Sequence, residues 1–356
     1  MANEQGQTRC RERLERLSGS TLDCESIRRE TIAELQRVIG FDRWCFPLAD
    51  PATLLPLSGL AEHDYGQRLP RALELEFSGN DFAAKHVLAR RAGSAASLSA
   101  ETGGDLGRSP RWDEVMRSVG IGDIATVACR DALGCWGWIE AYRDEDDPAF
   151  DAVEIQLLAD VGRSLGSALR RASLDARRGD VSEPALPGVI VLDRSLSVVS
   201  STPAARAWID ALPAASLFNA WGILPPVVYP VATLSRSRNA SAGASHALER
   251  TVDGRWLMIQ AEPLESGDDD GNVAVTLRGA MPSETFDLLC RVYALTRRER
   301  DTVAALIAGL DTRAITERLF ISRHTVQDHL KSIFEKVGVH SRRELLATFN
   351  ASATVC

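Results

Sequence analysis

Apolar and polar positions follow two different periods in the first half of the chain. Between residues 22 and 39 the apolar side chains recur every three or four positions, which predicts an amphipathic helix. At Trp44 and Phe46 the pattern changes to strict alternation, which is typical of a half-buried strand. Two further strands are predicted at residues 124–130 and 134–142. The change of period indicates a module that combines helices with a sheet.

A long helix is predicted to close this module. Asp151 and Glu154 match a capping box, and the apolar seam that begins at Val153 repeats at helical spacing. Ahead of the strands, residues 93–110 are small, polar and rich in glycine and serine, so a mobile loop is expected there. The polar residues 1–20 are expected to form a flexible, solvated tail.

A second α+β module is expected at residues 187–280. Thr202 and Pro203 mark the start of its helix, because a hydroxyl side chain caps a first turn and proline fits inside it. Its predicted strands cover residues 188–193, 196–200, 255–262 and 272–278. The predicted fold class is therefore α+β multidomain, with two sheet-containing modules followed by an all-α domain.

From Thr285 onward the whole pattern is helical, and two of the helices are joined by a very tight turn. The short helix at 312–319 ends just before Ser322, which caps a longer helix that Gly338 ends. The apolar stripe of the longer helix consists of Val326, Leu330, Ile333 and Val337. Its opposite face carries Arg323, Gln327, Asp328, Lys331 and Glu335. This is helix-turn-helix geometry, in which one helix enters the major groove and presents hydrogen-bonding side chains to base edges.

Charge is distributed unevenly around a formal net value of −8. From residue 290 to the end there are 11 Lys/Arg and 7 Asp/Glu, whereas the first 289 residues hold 30 basic and 42 acidic side chains. A basic end on an acidic body is typical of a module that binds a polyanion. Hydrophobic residues make up 45% of the chain, which is enough for packed cores and too many for a disordered protein.

Several classes of function are excluded by missing patterns. The seven cysteines include no C-x-x-C pair, which argues against a zinc site or disulfide framework and favours a reducing cytoplasm. Three prolines interrupt the apolar stretch 217–234, so no membrane span is expected. There is no phosphate-binding loop, no receiver-domain signature and no nucleophile with a plausible base. The protein is expected not to be an enzyme, and neither a metal nor a defined cofactor is expected.

The C-terminal motifs follow one another without a gap. They read Leu295-Thr296-x-Arg298-Glu299-Arg300, Gly309-Leu310, Ile315-x-x-x-Leu319-x-Ile321-Ser322-x-x-Thr325-Val326-x-x-His329 and Lys336-Val337-Gly338-Val339-x-Ser341-Arg342. This series resembles the LuxR-type (NarL/LuxR) DNA-binding domain, and the resemblance implies such a domain at residues 290–356.

The resemblance also implies a role for each polar residue of the longer helix. Base-reading positions are occupied by Gln327, Asp328 and Lys331. Residues that grip phosphates or brace the helix are Ser322, Arg323, Thr325 and His329. The family usually has lysine where this chain has Gln327, and the neutral amide suits adenine better. Asp328 either accepts a hydrogen bond from cytosine or pairs with Lys331 one turn along the helix.

The two front modules resemble sensor folds. Residues 21–178 resemble a GAF domain in the order of their elements, and residues 187–280 are similar, more loosely, to a PAS fold. Both families enclose small molecules, so the resemblance implies a sensor for an unidentified effector. The candidate ligand-binding residues are Trp44, Phe46, Trp112, Trp136, Trp138 and Tyr142. Packing in the core is the alternative role for these aromatic side chains.

These observations predict a cytoplasmic, dimeric transcription regulator whose DNA binding is gated by a signal in the front modules. The expected partners are double-stranded promoter DNA of near-palindromic sequence and a second copy of the chain. RNA polymerase is a further candidate partner, and no association with a membrane is expected. The apolar residues Leu345, Leu346 and Phe349 of the last helix are predicted to pair between subunits. The rival hypothesis is an adaptor whose C-terminal bundle binds a protein instead of DNA.

Overall fold

The computed structural model describes residues 4–20, 22–63, 66–173, 186–237, 245–265 and 271–350. The chain divides into two compact units, Met1–Gly279 and Ala280–Cys356. Both predicted α+β modules therefore belong to one unit, and the helical unit begins at Ala280 rather than at residue 290. The predicted boundaries at residues 21, 178 and 356 lie outside the described residues.

Five antiparallel strands form the first sheet of the first unit. The strands are β1 Arg43–Ala49, β2 Pro56–Glu62, β3 Ala95–Ser97, β4 Ile121–Asp131 and β5 Gly134–Asp144, in the spatial order β2-β1-β5-β4-β3. The helices of this part are α1 Glu4–Ser18, α2 Cys24–Ile39, α3 Leu69–Phe77, α4 Lys85–Leu88, α5 Leu98–Thr102 and α6 Ala152–Ala172. The predicted strand at Trp44 and Phe46, the two central strands and the closing helix are present.

Helix α6 lies very close to strand β4 because two of its residues lack a side chain. A Cβ atom on Gly162 would lie 2.7 Å from the backbone of β4, and one on Gly166 would lie 2.2 Å from it. The predicted capping box of Asp151 and Glu154 is formed at the start of this helix. One face of the first sheet is therefore closed by α6.

Two segments that the sequence predicted to be irregular are ordered. The prediction of a flexible tail at residues 1–20 is wrong, because α1 buries Cys10 and Leu14 and packs against α2 and α6. The prediction of a mobile loop at 93–110 is also wrong over part of its length, since this segment contains β3 and α5. Ser97 caps α5 by accepting a hydrogen bond from the Ala100 amide at 3.2 Å. Small polar residues form a cap and an edge strand here.

A second antiparallel sheet belongs to the same unit. Its strands are β6 Gly188–Leu192, β7 Val198–Ser201, β8 His246–Arg250, β9 Trp256–Pro263 and β10 Val273–Gly279, in the order β7-β6-β10-β9-β8. Its helices are α7 Pro203–Asp210, α8 Ala215–Trp221 and α9 Val228–Ser235. The sequence did not predict β8, a short strand that contains a buried glutamate, Glu249. The proline-interrupted apolar stretch contributes to the core that covers this sheet.

The second unit is all-helical. It contains α10 Pro282–Val292, α11 Arg297–Ile307, α12 Thr312–Leu319, α13 Arg323–Val337 and α14 Arg342–Asn350. Helices α11, α12 and α13 contact one another pairwise, and α10 packs against α14. Because Leu289 and Cys290 of α10 belong to the core of this unit, its boundary precedes the predicted one. The structure is an α+β protein with two antiparallel sheets and a C-terminal helical unit.

Candidate nucleic-acid interface

The turn between α12 and α13 is formed by three residues. Phe320 ends α12 with a left-handed backbone (φ 53°), which turns the chain sharply. The hydroxyl of Ser322 then accepts a hydrogen bond from the Thr325 amide at 3.1 Å and caps α13. The cap sets the direction of α13 within three residues of the end of α12.

Helix α13 has one apolar face and one polar face. Val326, Leu330 and Ile333 are at most 3% exposed and pack into the core of the second unit. Of the seven residues predicted to contact DNA, the exposed ones are Ser322, Arg323, Gln327, Asp328 and Lys331, and the half-buried ones are Thr325 and His329. The half-buried positions suit bracing of the helix, and the exposed positions are available to a partner.

The polar face of α13 leaves the side chain of Lys331 exposed to solvent. The imidazole of His324 lies beside Asp328, with its Nε2 3.8 Å from Oδ2. No ion pair joins Asp328 to Lys331 among the described residues of the second unit, so of the two alternatives for Asp328 the intrahelical pair is not formed. The Lys331 ammonium is exposed, which leaves it free to meet a phosphate or a base edge.

A buried carboxylate holds α13 in place. Glu299 of α11 accepts hydrogen bonds from the Thr296 amide at 2.7 Å, from the Ser332 hydroxyl at 2.6 Å and from the Lys336 ammonium at 2.6 Å. Although burial opposes ionisation, these bonds lower the pKa of Glu299 to about 2. The sequence does not reveal this contact, because the partners of Glu299 on α13 lie more than 30 positions away.

A second bond connects the last helix to the helix-turn-helix. Arg342 donates from Nη2 to the hydroxyl of Thr312 at 2.6 Å, which ties α14 to the start of α12. The side chain is half-buried, as expected for a bracing group. The geometry thus presents a rigid polar helix face that is held from both sides.

Comparison with known proteins identifies the family to which this unit belongs. Residues 293–349 match the family described as bacterial regulatory proteins, luxR family. Over 50 residues, 14% of this chain, the sequence is 38% identical to the spore germination protein GerE of Bacillus subtilis (strain 168) and covers 68% of it. The chain belongs to the LuxR family of bacterial regulatory proteins.

A second relative matches a fifth of this LuxR-family chain. Over 72 residues this chain is 40% identical to the probable transcriptional regulatory protein SgaR of Hyphomicrobium methylovorum. The matched residues make up 20% of this chain and 34% of SgaR. The chain thus spans about a third of the length of SgaR. A solved structure, the far-red absorbing dark state of JSC1_58120g3 with bound biliverdin IXa, matches 46% of this chain and 98% of that chain. At 18% identity and a TM-score of 0.30, this likeness establishes neither a fold nor a ligand.

The predicted pairing surface of the LuxR-family unit is not available. Leu345 and Phe349 are 0% and 1% exposed, and Leu346 is half-buried against the same core. Phe349 packs on Phe286 and Tyr293, with ring centroids 5.8 Å and 6.2 Å apart. The prediction of a dimer surface is therefore wrong for Leu345 and Phe349. Their apolar face is covered by α10 of the same chain.

The six candidate ligand-binding residues of the LuxR-family protein do not form one pocket. Tyr142 lines a cavity in the first unit, and the other five are absent from its lining. Trp44, Phe46, Trp136 and Trp138 are at most 4% exposed, and Trp112 is half-buried against a core cluster. The cavity side of β1 is formed by Cys45 and Pro47, so the alternating aromatics of this strand face the opposite side.

The described residues show neither a metal centre nor a membrane helix. No three His, Cys, Asp or Glu side chains within that part of the chain are placed to share a metal ion. None of the described helices combines the length and the apolar character needed to cross a bilayer.

Proposed function

We propose that this protein is a transcription regulator that binds double-stranded DNA through α13. The observation that carries the proposal is the division of this helix into a buried apolar face and an exposed face with Arg323, Gln327, Asp328 and Lys331. A helix of this width fits the major groove, where amide, carboxylate and ammonium groups distinguish base pairs. Membership of the LuxR family supports the same function.

The proposed roles follow from exposure and position on α13. Gln327, Asp328 and Lys331 lie on the exposed middle of the helix and read base edges. The first turn carries the exposed Ser322 and Arg323, which hold phosphates together with the amide-rich helix start. The half-buried Thr325 and His329 brace the helix from its sides. Direct readout therefore depends on three residues of one helix.

The protein acts as a homodimer in this proposal. A single recognition helix reads only a few base pairs, and two copies placed one turn of DNA apart, about 34 Å, read a near-palindromic site. Since Leu345 and Phe349 are buried in their own unit, the pairing surface lies elsewhere in the chain. RNA polymerase is a further candidate partner, and the cytoplasm is the expected location.

Signal reception belongs to the first unit in this proposal. Its two antiparallel sheets with covering helices have the general layout of GAF-like and PAS-like sensors, and the cavity lined by Tyr142 provides space for an effector. A ligand that binds two states of this unit differently would shift the population that is competent to bind DNA.

Selection of binding sites from random DNA by the full-length protein tests the proposal. We expect a near-palindromic consensus whose affinity falls steeply with salt, because each neutralised phosphate releases counterions. Gln327→Ala should relax selection at one position of each half-site by about 1–3 kcal/mol. The exposed Glu317→Ala on α12 is the matched control and should return the original consensus. Failure of the wild-type protein to enrich any sequence would contradict the proposal.

An adaptor function is favoured by one observation. Phe320, at the turn before α13, is 93% exposed, and large exposed apolar side chains often mark protein contacts. If the second unit binds a protein and not DNA, Phe320→Ala should abolish the binding of that protein. The wild-type protein should then select no sequence from random DNA.

A further inference from the structure

A cavity in the first unit lies on the face of the first sheet that α6 leaves uncovered. Its enclosed part measures about 70 Å³ and continues into an open mouth, which brings the space unoccupied by atoms to about 640 Å³. Strand register places Cys45 directly opposite both Ala61 and Glu140, so these residues form a row across β2, β1 and β5. All three line the cavity. The sheet therefore supplies its floor.

The walls of the cavity are apolar and aromatic. Leu73 of α3 and Met116 line one part, and Phe218 and Trp221 of α8 line another. The imidazole ring of His63 lies near the Trp221 ring, with centroids 5.9 Å apart. Because α8 belongs to the second-sheet part of this unit and the floor to the first, an occupant would contact both. Such walls suit a small aromatic molecule.

A network of buried charges around Glu140 completes the floor. The Lys85 ammonium lies 2.7 Å from Glu140 Oε2 and 3.0 Å from Glu76 Oε2. Arg111 Nη1 lies 3.1 Å from Glu140 Oε1 and 3.2 Å from Glu76 Oε2, and its Nε lies 2.9 Å from Asp81 Oδ2. Each of these side chains is at most 4% exposed. The charges are thus fixed in place.

The network holds three carboxylates and two cations, so it has no surplus positive charge for an anion. Burial opposes the ionisation of Glu140, yet Lys85 and Arg111 hold its pKa below the usual value. Burial also lowers the pKa of the adjacent His86, which favours the uncharged form of that imidazole. An anionic ligand would meet a net negative floor whose charged side chains are themselves buried.

One donor of the floor is left without a partner. Arg111 Nη2 is buried and has no hydrogen-bond partner among the described residues, although Arg111 lines the cavity. A buried N–H without an acceptor costs free energy, which a ligand oxygen or ring nitrogen would recover. The floor therefore selects for an acceptor and against a negative charge.

We propose that this cavity binds a small, uncharged, largely apolar aromatic molecule that offers a hydrogen-bond acceptor to Arg111. The binding itself does not depend on the proposed function. The further claim that occupancy of the cavity signals to the second unit rests on that function. The mixed walls explain how one ligand could couple the two sheets of the first unit.

Displacement of the neutral fluorescent probe N-phenyl-1-naphthylamine from the full-length protein at pH 8 tests this site. The competitors are 2-acetylnaphthalene, 2-ethylnaphthalene and 2-naphthoate, which share one ring system. We expect the ketone to displace the probe best. The ethyl compound lacks an acceptor and the carboxylate adds a charge, so each should compete about tenfold less well. No saturable probe binding, or equal or better competition by naphthoate, would overturn the proposal.

A cavity-filling variant locates the binding. Ala61→Phe places a ring on the floor row and should reduce probe affinity at least tenfold. Ala52→Phe makes the same change on the exposed turn between β1 and β2 and should leave it unchanged. Equal probe affinity in Ala61→Phe, with its thermal unfolding intact, would place binding elsewhere and reject the site. Selection of DNA sites is measured separately, so a loss of ligand binding is distinguished from a loss of DNA binding.

Discussion

The three lysines of the chain occupy contrasting environments in its two units. Lys85 in the first unit is 3% exposed and lies between two carboxylates, whereas Lys331 in the second unit is exposed on α13. Lys336 is intermediate, because its ammonium braces the helix through Glu299. A buried charge needs fixed partners, and an exposed charge stays available to a polyanion. The first unit therefore uses charge to shape its interior, and the second uses it to present a surface.

The largest expected effect is the loss of the buried lysine. Lys85→Ala leaves three carboxylates facing Arg111 alone, so we expect the free energy of unfolding to fall by about 3–5 kcal/mol. Urea denaturation at pH 7 measures this change. Lys331→Ala is the matched control and should change stability by less than about 0.5 kcal/mol. Equal effects of the two substitutions would remove the contrast between the units.

A buried glutamate should make the first unit less stable as pH rises. Glu249 accepts the Ser58 amide at 2.6 Å, and burial raises its pKa to about 7. Between the ordinary value near 4.5 and about 7, the folded chain holds a proton that the unfolded chain has released, so stability falls through this range. Glu249→Gln should therefore stabilise the protein by about 3 kcal/mol at pH 8. At pH 4 the difference should vanish, and thermal unfolding at both pH values checks it.

The second unit should respond to pH in the opposite direction. The hydrogen bonds from Lys336 and Ser332 keep the pKa of Glu299 low, so their contribution is present above about pH 4.5 and is lost as pH falls toward 2. Glu299→Gln preserves the cap but removes the charge, and we expect a loss of about 2 kcal/mol at pH 7. Urea denaturation at pH 7 and pH 3 measures it. A difference of the same size at both values would reject the ionic contribution.

The smallest expected effect concerns the exposed lysine itself. If Lys331 neutralises a phosphate, Lys331→Ala should lower the slope of log affinity against log salt concentration by about 1. Fluorescence titration of labelled DNA across a range of salt concentrations measures this slope. An unchanged slope together with altered base preference would assign Lys331 to base readout alone.

The sequence predicted most of what depends on neighbouring residues. The capping box at Asp151, the end of α13 at Gly338 and the two faces of α13 are local patterns, and each is present. The tail prediction failed because the polar composition of residues 1–20 concealed an apolar stripe that includes Cys10 and Leu14. The sequence pattern shows that Leu345 and Phe349 lie on an apolar face, but it does not show which segment covers that face. The prediction that they pair between subunits is wrong for this reason.

Residue order alone thus defined the helix-turn-helix, since its turn, caps and stripe arise from contacts within a few positions of each other. The environment of each charge was set by folding, because Lys85, Glu140 and Arg111 come together from separate elements and Glu299 reaches α13 across the helix pair. Burial by distant segments is what converts a charged residue into part of a cavity floor or a brace. No local pattern contains that information.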